Sequence, residues 1–388
     1  MERSNLVASL TEEVTGWRHH LHEIPELCYE ERETAAFVAE RLREFGFDEV
    51  HEGIGKTGVV GVLHGKNGPG GRRIGLRADM DALPIEEAGN PPYRSKNPGV
   101  MHACGHDGHT ALLLGAAKGL SETRSFDGTV HFFFQPAEEG GAGAKAMIDD
   151  GLFDNFDVEE VYGLHNMPGI PVGNFHIRTG PLLAAADQFA ITIRTAGGHA
   201  AMPHQTVDSV VVGAQIILAL QAVVSRETDA INAAVLTIAQ LKGSEADNII
   251  PSKVVMSGTL RTLDANDRTR IEKRISEVSR GVASAMGASA EIDYQYGYPA
   301  TVNHHDQTQF AAGIAAELVG ADKVEDNCPP IMPAEDFAYM LEERPGAYIF
   351  LGNGDTAACH MPDYDFADEA IPYGVGFWIK LIEKALPA

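Results

Sequence analysis

A chain of 388 residues is longer than one ordinary hydrophobic core fills and suggests two domains. With 44% hydrophobic and 22% charged residues the composition is globular, and a formal net charge of −25 argues against a nucleic-acid backbone or an anionic membrane as partner. The charge does not exclude a small anionic substrate, because a pocket can be locally basic within an acidic protein.

Apolar residues at Phe37, Val38, Leu42 and Phe45, with charges between them, predict helix in the opening segment to about Phe45. Thr57 to His64 reads as a strand, and a glycine-rich loop leads to another over Arg73 to Ala78. Ala111 to Leu120 predicts a buried helix, and Thr129 to Gln135 an apolar strand covered on both faces. A helix over Ala142 to Asp149 precedes a strand at Glu160 to Leu164. This alternation predicts an α/β fold with a mixed sheet, largely parallel at its centre.

The texture changes after about Leu183. A strand at Phe189 to Arg194 is followed by a long apolar helix from Ser209 to Val224. Strands at Ala233 to Leu241 and Lys253 to Thr262, a charged helix from Asp267 to Met286 and a strand at Glu291 to Tyr296 complete the block. That β-α-β-β-α-β order is a ferredoxin-like α+β unit. Ala347 to Gly352 returns to the α/β texture, so residues 184–296 are expected as an insertion into a discontinuous domain of residues 1–183 and 297–388. The N-terminus lacks a basic-then-apolar leader, and no stretch approaches the roughly 20 apolar residues that span a bilayer. The cysteines Cys28, Cys104, Cys328 and Cys359 are too scattered for a disulfide scaffold. A reduced, cytoplasmic protein is expected.

Donor-rich motifs follow the predicted strands. Asp79 and Asp81 lie at the end of one, Glu138 and Glu139 beyond a second, His165 at the end of a third and His360 beyond a fourth. Met101-His-Ala-Cys-Gly-His-Asp-Gly-His109 adds the densest cluster of metal-seeking groups, with glycines that let the backbone bend around an ion. In open α/β sheets ligands bind at the carboxyl ends of strands, so these residues are expected to converge. An adjacent Glu-Glu pair can be an ordinary acidic pair at a helix start. Here it follows an almost wholly apolar strand, and a division of labour suits the chemistry: one carboxylate binds metal while the other takes a proton from activated water.

The chain resembles the M20 metallopeptidase family, in its aminoacylase and hippurate-hydrolase branch, which includes the auxin-conjugate hydrolases. The motifs that carry the resemblance are Arg77-Ala-Asp-Met-Asp-Ala-Leu-Pro84, the Met101–His109 segment, Gln135-Pro-Ala-Glu-Glu-Gly-Gly141, Gly163-Leu-His-Asn166, Gly197-Gly-His-Ala-Ala-Met-Pro-His204, Asn248-Ile-Ile-Pro251, Gly258-Thr-Leu-Arg-Thr262, Pro333-Ala-Glu-Asp-Phe337 and the His360 segment. The resemblance implies a zinc-peptidase-like catalytic domain with an inserted lid and dimerisation domain. It implies two divalent ions (zinc, or manganese, cobalt or nickel) held by Cys104, His106, Glu139, His165 and His360, with Cys104 bridging. Glu138 would be the general base and acid, His199 would stabilise the oxyanion, and Asn248 and Arg261 would hold the substrate. Other branches carry a histidine ligand where this chain has Asp79, so Asp79 and Asp81 read as supports or local caps.

The implied reaction is hydrolysis of an N-acyl amino acid (N-acetyl, N-benzoyl or similar) to a carboxylate and a free amino acid, in a homodimer or homotetramer formed through the inserted domain. A dipeptidase or carboxypeptidase with the same site is the alternative. A catalytically silent metal- or amino-acid-binding protein is a third reading, and it predicts missing ligands where none is missing. His19, His20 and His22 read as surface or capping groups on a polar helix, and His131 and His176 as strand residues without donor neighbours. His102, His109 and His204 read as positioning residues. Cys28 and Cys328 read as buried or incidental, and Cys359 adjoins a ligand without its side chain being aimed by that adjacency.

Overall fold

Proline at position 25 cannot continue a helix, and the opening helical segment is split there into α1 (Arg3–Glu23) and α2 (Arg32–Glu44). The computed structural model describes residues 3–244 and 246–388; Met1 and Glu2, at the start of the expected catalytic span, lie outside the described residues. Contacts divide the chain into two units. One comprises residues 1–180, 302–329 and 336–388, and the other residues 181–301 and 330–335.

The first unit is built on an eight-stranded mixed sheet. Its strands include β1 (Glu49–Ile54), β2 (Gly58–His64), β3 (Arg73–Asp79), β4 (Thr129–Gln135) and β5 (Glu160–Met167). The order is β1, β2, β4, β3, β5, then Gly346–Gly352, Phe175–His176 and Val324–Glu325. β4, β3, β5 and Gly346–Gly352 run parallel, while β1 and β2 add antiparallel strands at one edge. The parallel centre is largely apolar in sequence because both faces are covered: every residue of β4 and of Gly346–Gly352 is buried. β1 escapes the hydrophobic signal because it is a polar edge strand with no buried residue.

α3 (His106–Thr123) and helix Ile371–Ala385 pack with α1. Leu112, Leu114, Val375, Trp378 and Ile382 join the core cluster with Val14 and Trp17 of α1. The helix α4 (Gly143–Asp149) follows the turn beyond β4.

The second unit has a four-stranded antiparallel sheet in the order Ala234–Lys242, Lys253–Thr262, Ala185–Arg194, Ser289–Gln295. Together with helices Ser209–Glu227 and Ala265–Ala285 this is the ferredoxin-like order read from the sequence. Burial alternates along Ala185–Arg194 and Lys253–Thr262, as expected of a sheet with one covered face. Helix Ser209–Glu227 is long and apolar enough, by length and composition, to cross a membrane, which the sequence reading did not anticipate. Val212, Ile216, Leu220 and Val223 of that helix are buried in the unit's own core at helical spacing, while Val210, Val211 and Leu218 are exposed.

Candidate metal centre

Parallel register sets the donors at one end of the sheet. Asp79 at the end of β3 lies opposite Gln135 at the end of β4, and His165 of β5 lies opposite Phe350. Beyond Gln135 the chain turns sharply: Ala137, Gly140 and Ala142 all have positive φ, at 53°, 91° and 54°. A Cβ on Gly143 would sit 1.6 Å from the Pro136 carbonyl oxygen, so only glycine closes this turn. The turn presents Glu138 and Glu139 side by side. Gly105 does the same service for the cysteine loop, with φ 89° and space for a Cβ already taken by Asn166 Oδ1 at 2.3 Å and the Tyr364 hydroxyl at 2.4 Å. His360 adopts φ 68°, and such non-glycine strain collects at functional sites.

The side chains gather into overlapping donor groups whose ligand atoms lie within 4.8 Å of one another: Cys104, His106 and His165; Cys104, Glu139 and His360; and His106, Glu138 and Glu139. Cys104 Sγ is 3.4 Å from His165 Nε2, and Glu139 Oε1 is 3.1 Å from His360 Nε2. The buried Nε2 of His106 has no hydrogen-bond partner, although its Nδ1 has two acceptors. An orphaned imidazole nitrogen facing a thiol, two carboxylates and a second imidazole fits a divalent cation.

The supports around these donors are equally defined. His106 Nδ1 donates toward the Asp81 carbonyl at 2.9 Å and its Oδ1 at 3.2 Å, while Asp81 Oδ2 accepts the Glu139 backbone N–H at 2.9 Å. His165 Nδ1 donates to the Asn166 carbonyl at 2.5 Å, leaving Nε2 turned to Cys104. His109 donates from Nδ1 to Asp79 at 2.6 Å and accepts the Asn166 backbone N–H at Nε2 at 2.9 Å. Such outer bonds fix a ligand's tautomer and orientation.

The electrostatics favour a cation at the centre. Burial works against a charged His106, yet Asp79, Asp81 and Glu139 around it push its pKa up to about 10. Burial would also raise Asp79, but Arg77, His106 and His109 hold it well below the usual carboxylate range. Burial, with His109 and His106 facing the ring, pushes His165 well below the ordinary imidazole range, so its Nε2 carries a lone pair.

The second unit carries the other expected site residues. His199 is exposed on a two-residue strand paired with Ile249–Ile250, and Ala200 N–H donates to the Asn248 carbonyl at 3.0 Å, so His199 and Asn248 are neighbours. Arg261 is half-buried on Lys253–Thr262, in register with Ala186 and Val235, away from that pair along the strand.

Two sequence readings are corrected. His22 is not a surface group: it is fully buried, 2.8 Å from Asp107 and 3.4 Å from Glu87, next to Arg18, which also pairs with Asp107 at 2.9 Å. Cys28 is half-buried and not incidental, since its thiol donates to Asp81 Oδ2 at 3.2 Å and to the Glu139 carbonyl at 3.1 Å. Neither had a local sequence signal, because the partners are 85 and 53 positions away.

Residues 75–384 match the family described as peptidase family M20/M25/M40. The chain is 43% identical to a hippurate hydrolase of Campylobacter jejuni over 95% of each protein. It is 41% identical to an N-acetyl-L-cysteine deacetylase of Bacillus subtilis, over 95% of this chain and 88% of that protein. Among solved structures, a Bacillus subtilis protein described as a dinuclear metal-binding peptidase of the M20 family superposes with a TM-score of 0.86 at 32% identity, covering 98% of this chain and 99% of the other.

Proposed function

We propose that this chain, which belongs to peptidase family M20/M25/M40, is a metal-dependent amidohydrolase that cleaves N-acyl amino acids to a carboxylate and a free amino acid. The observation that carries the reading is one thiol shared by two donor groups: Cys104 belongs to one group with His106 and His165 and to another with Glu139 and His360. Cys104, His106, Glu139, His165 and His360 would hold two divalent ions, and the solved relative described as dinuclear supports that number. A thiolate ligand leans toward zinc, while the imidazole and carboxylate donors also accept manganese, cobalt or nickel. When bound, the ions supply Lewis acidity and lower the pKa of water.

Glu138 is the general base. It is 7% exposed and shares a donor group with His106 and Glu139, so it stands at the edge of the metal site without being needed to complete either Cys104 group. It takes the proton of the attacking water and returns it to the leaving nitrogen. His199 stabilises the oxyanion, from the same chain or from a second copy, and Asn248 and Arg261 hold the substrate carbonyl and carboxylate. The first unit is the catalytic domain, and the second serves as lid and dimerisation domain of a cytoplasmic homodimer or homotetramer. The hippurate hydrolase and N-acetyl-L-cysteine deacetylase relatives support an N-acyl amino acid as substrate.

The test is a panel of N-acetyl, N-benzoyl and indole-acetyl amino acids alongside dipeptides, run with the wild type and Glu138→Gln. We expect N-acyl amino acids to be preferred, and Glu138→Gln to retain its metal while losing turnover. Retained turnover would refute the role of Glu138, and a preference for dipeptides would refute the substrate class.

A further inference from the structure

The turn that carries Glu138 and Glu139 is gripped by the loop just ahead of α2. Glu31 is fully buried, and its Oε1 accepts the Ala137 N–H at 2.8 Å and the Tyr29 N–H at 3.0 Å. Its Oε2 accepts the Thr57 hydroxyl at 2.6 Å. Tyr29 donates its hydroxyl to the Gly141 carbonyl at 2.6 Å, and the Cys28 thiol donates to the Glu139 carbonyl at 3.1 Å. One loop therefore holds backbone groups at the start, middle and end of the turn. An acidic residue at a helix start is ordinarily a cap or a dipole partner. Glu31 immediately precedes α2, yet its side chain makes no capping bond there. Glu26 does that work, accepting the N–H groups of Arg32, Glu33 and Thr34 at 3.0, 3.1 and 2.9 Å. The Glu31 carboxylate instead holds Tyr29 and Ala137, two residues in the left-handed region that favours glycine, at φ 62° and 53°.

We propose that Glu31 is a positioning residue for Glu138. Ala137 directly precedes Glu138, and an alanine released from the left-handed region relaxes to negative φ. That change rotates the next peptide and, with it, the direction in which Glu138 leaves the backbone. The charge-assisted bond from the Ala137 N–H to Glu31 opposes the rotation. Glu139 is held separately, through its N–H on Asp81 Oδ2 at 2.9 Å and its carbonyl on Cys28. Adjacent carboxylates are thus aimed by different buried acids, Glu138 by Glu31 and Glu139 by Asp81. The catalytic part of this inference rests on Glu138 being the general base, as proposed above; the grip on Ala137 does not.

The test compares Glu31→Ala and Glu31→Gln with the wild type, as zinc-loaded full-length protein, on N-benzoylglycine and N-acetyl-L-cysteine. Alanine should lower kcat about 100-fold and leave KM within about twofold, because a misaimed base is felt only in the transition state. Its zinc affinity should stay within about threefold of wild type, a difference well under 1 kcal/mol. Glutamine can turn its oxygen to the two N–H groups and its NH2 to the Thr57 hydroxyl, so it should recover most of the lost kcat. In metal-free protein, the Ala137 amide should exchange hydrogen at least about tenfold faster in the alanine variant than in wild type. If alanine does not fold, Glu31→Asp keeps the charge but draws the oxygens back by one methylene, and the same readouts apply. A folded variant with wild-type kcat, or with wild-type protection at Ala137, overturns the proposal. Loss of zinc affinity in step with kcat overturns the separate aiming of Glu138 and Glu139. Wild type that cleaves neither substrate overturns the reading of Glu138 instead, and the amide exchange then decides the grip on Ala137 by itself.

Discussion

Replacing Asp81 with asparagine tests whether the metal site depends on a residue that need not touch the metal. Asp81 Oδ1 receives His106 Nδ1 at 3.2 Å, and Oδ2 receives the Glu139 N–H at 2.9 Å and the Cys28 thiol at 3.2 Å. Asparagine is nearly isosteric but offers one acceptor oxygen and an NH2 group. Whichever way it turns, an N–H faces another N–H, and the buried negative charge beside the cation site is gone. The less costly orientation keeps the oxygen toward Glu139 and leaves His106 on the Asp81 backbone carbonyl, 2.9 Å away. One charge-assisted bond, worth about 1.5–3 kcal/mol, is therefore lost with partial compensation. The expected consequence is about 10–100-fold weaker metal binding, or about 1.4–2.7 kcal/mol. Competition of the variant and wild type against a chromogenic chelator at fixed pH measures this directly. A variant that binds zinc within about threefold of wild type, a difference well under 1 kcal/mol, would show that the bonds through Asp81 do not orient the ligands.

Asp107→Asn should destabilise the fold by about 3–5 kcal/mol in urea titration, because it strips the buried Arg18 of its innermost partner. His22 gives a pH signature: burial alone would depress it, but Asp107 and Glu87 hold its pKa at about 9. Its contribution to stability is therefore complete below the unfolded value of about 6.5 and is lost as pH rises through about 9. His22→Gln should flatten the stability–pH curve across that window, and an unchanged slope would refute the pairing. Gly105→Ala should reduce zinc uptake and lower Tm, since its φ of 89° and the contacts with Asn166 and Tyr364 leave no room for a methyl group.

The parallel sheet and the donor positions could be read from the sequence because both leave local traces. β4 is a largely apolar run with Phe132–Phe134 at its end and a proline beyond it, and the donors follow strands within a few residues. The ferredoxin-like unit was legible for a similar reason, through alternation in Phe189–Arg194 and a charged helix before Ser289–Gln295. What left no trace were contacts made across the sequence. β1 buries nothing, so no periodicity marks it. His22 sits on a polar-looking helix, yet it and Arg18 of that helix are buried on Asp107, with Glu87 beside His22, and a helix pattern cannot report a buried charge network. Cys28 lacked any neighbouring motif because its partners reach it from a strand end and a turn far along the chain.

The sheet order has a consequence for how the site comes into being. Cys104, His106 and His165 need only the chain up to β5, which pairs with β3 from an earlier stretch. Glu139 finds His360 only after Gly346–Gly352 has docked on β5. On a ribosome, which releases the chain from its N-terminus, four of the five proposed donors, Cys104, His106, Glu139 and His165, would be present before Gly346–Gly352 and His360 have been synthesised. The proposed donor set would then be completed by its last-made member, His360, only once the strand before it is in register on β5.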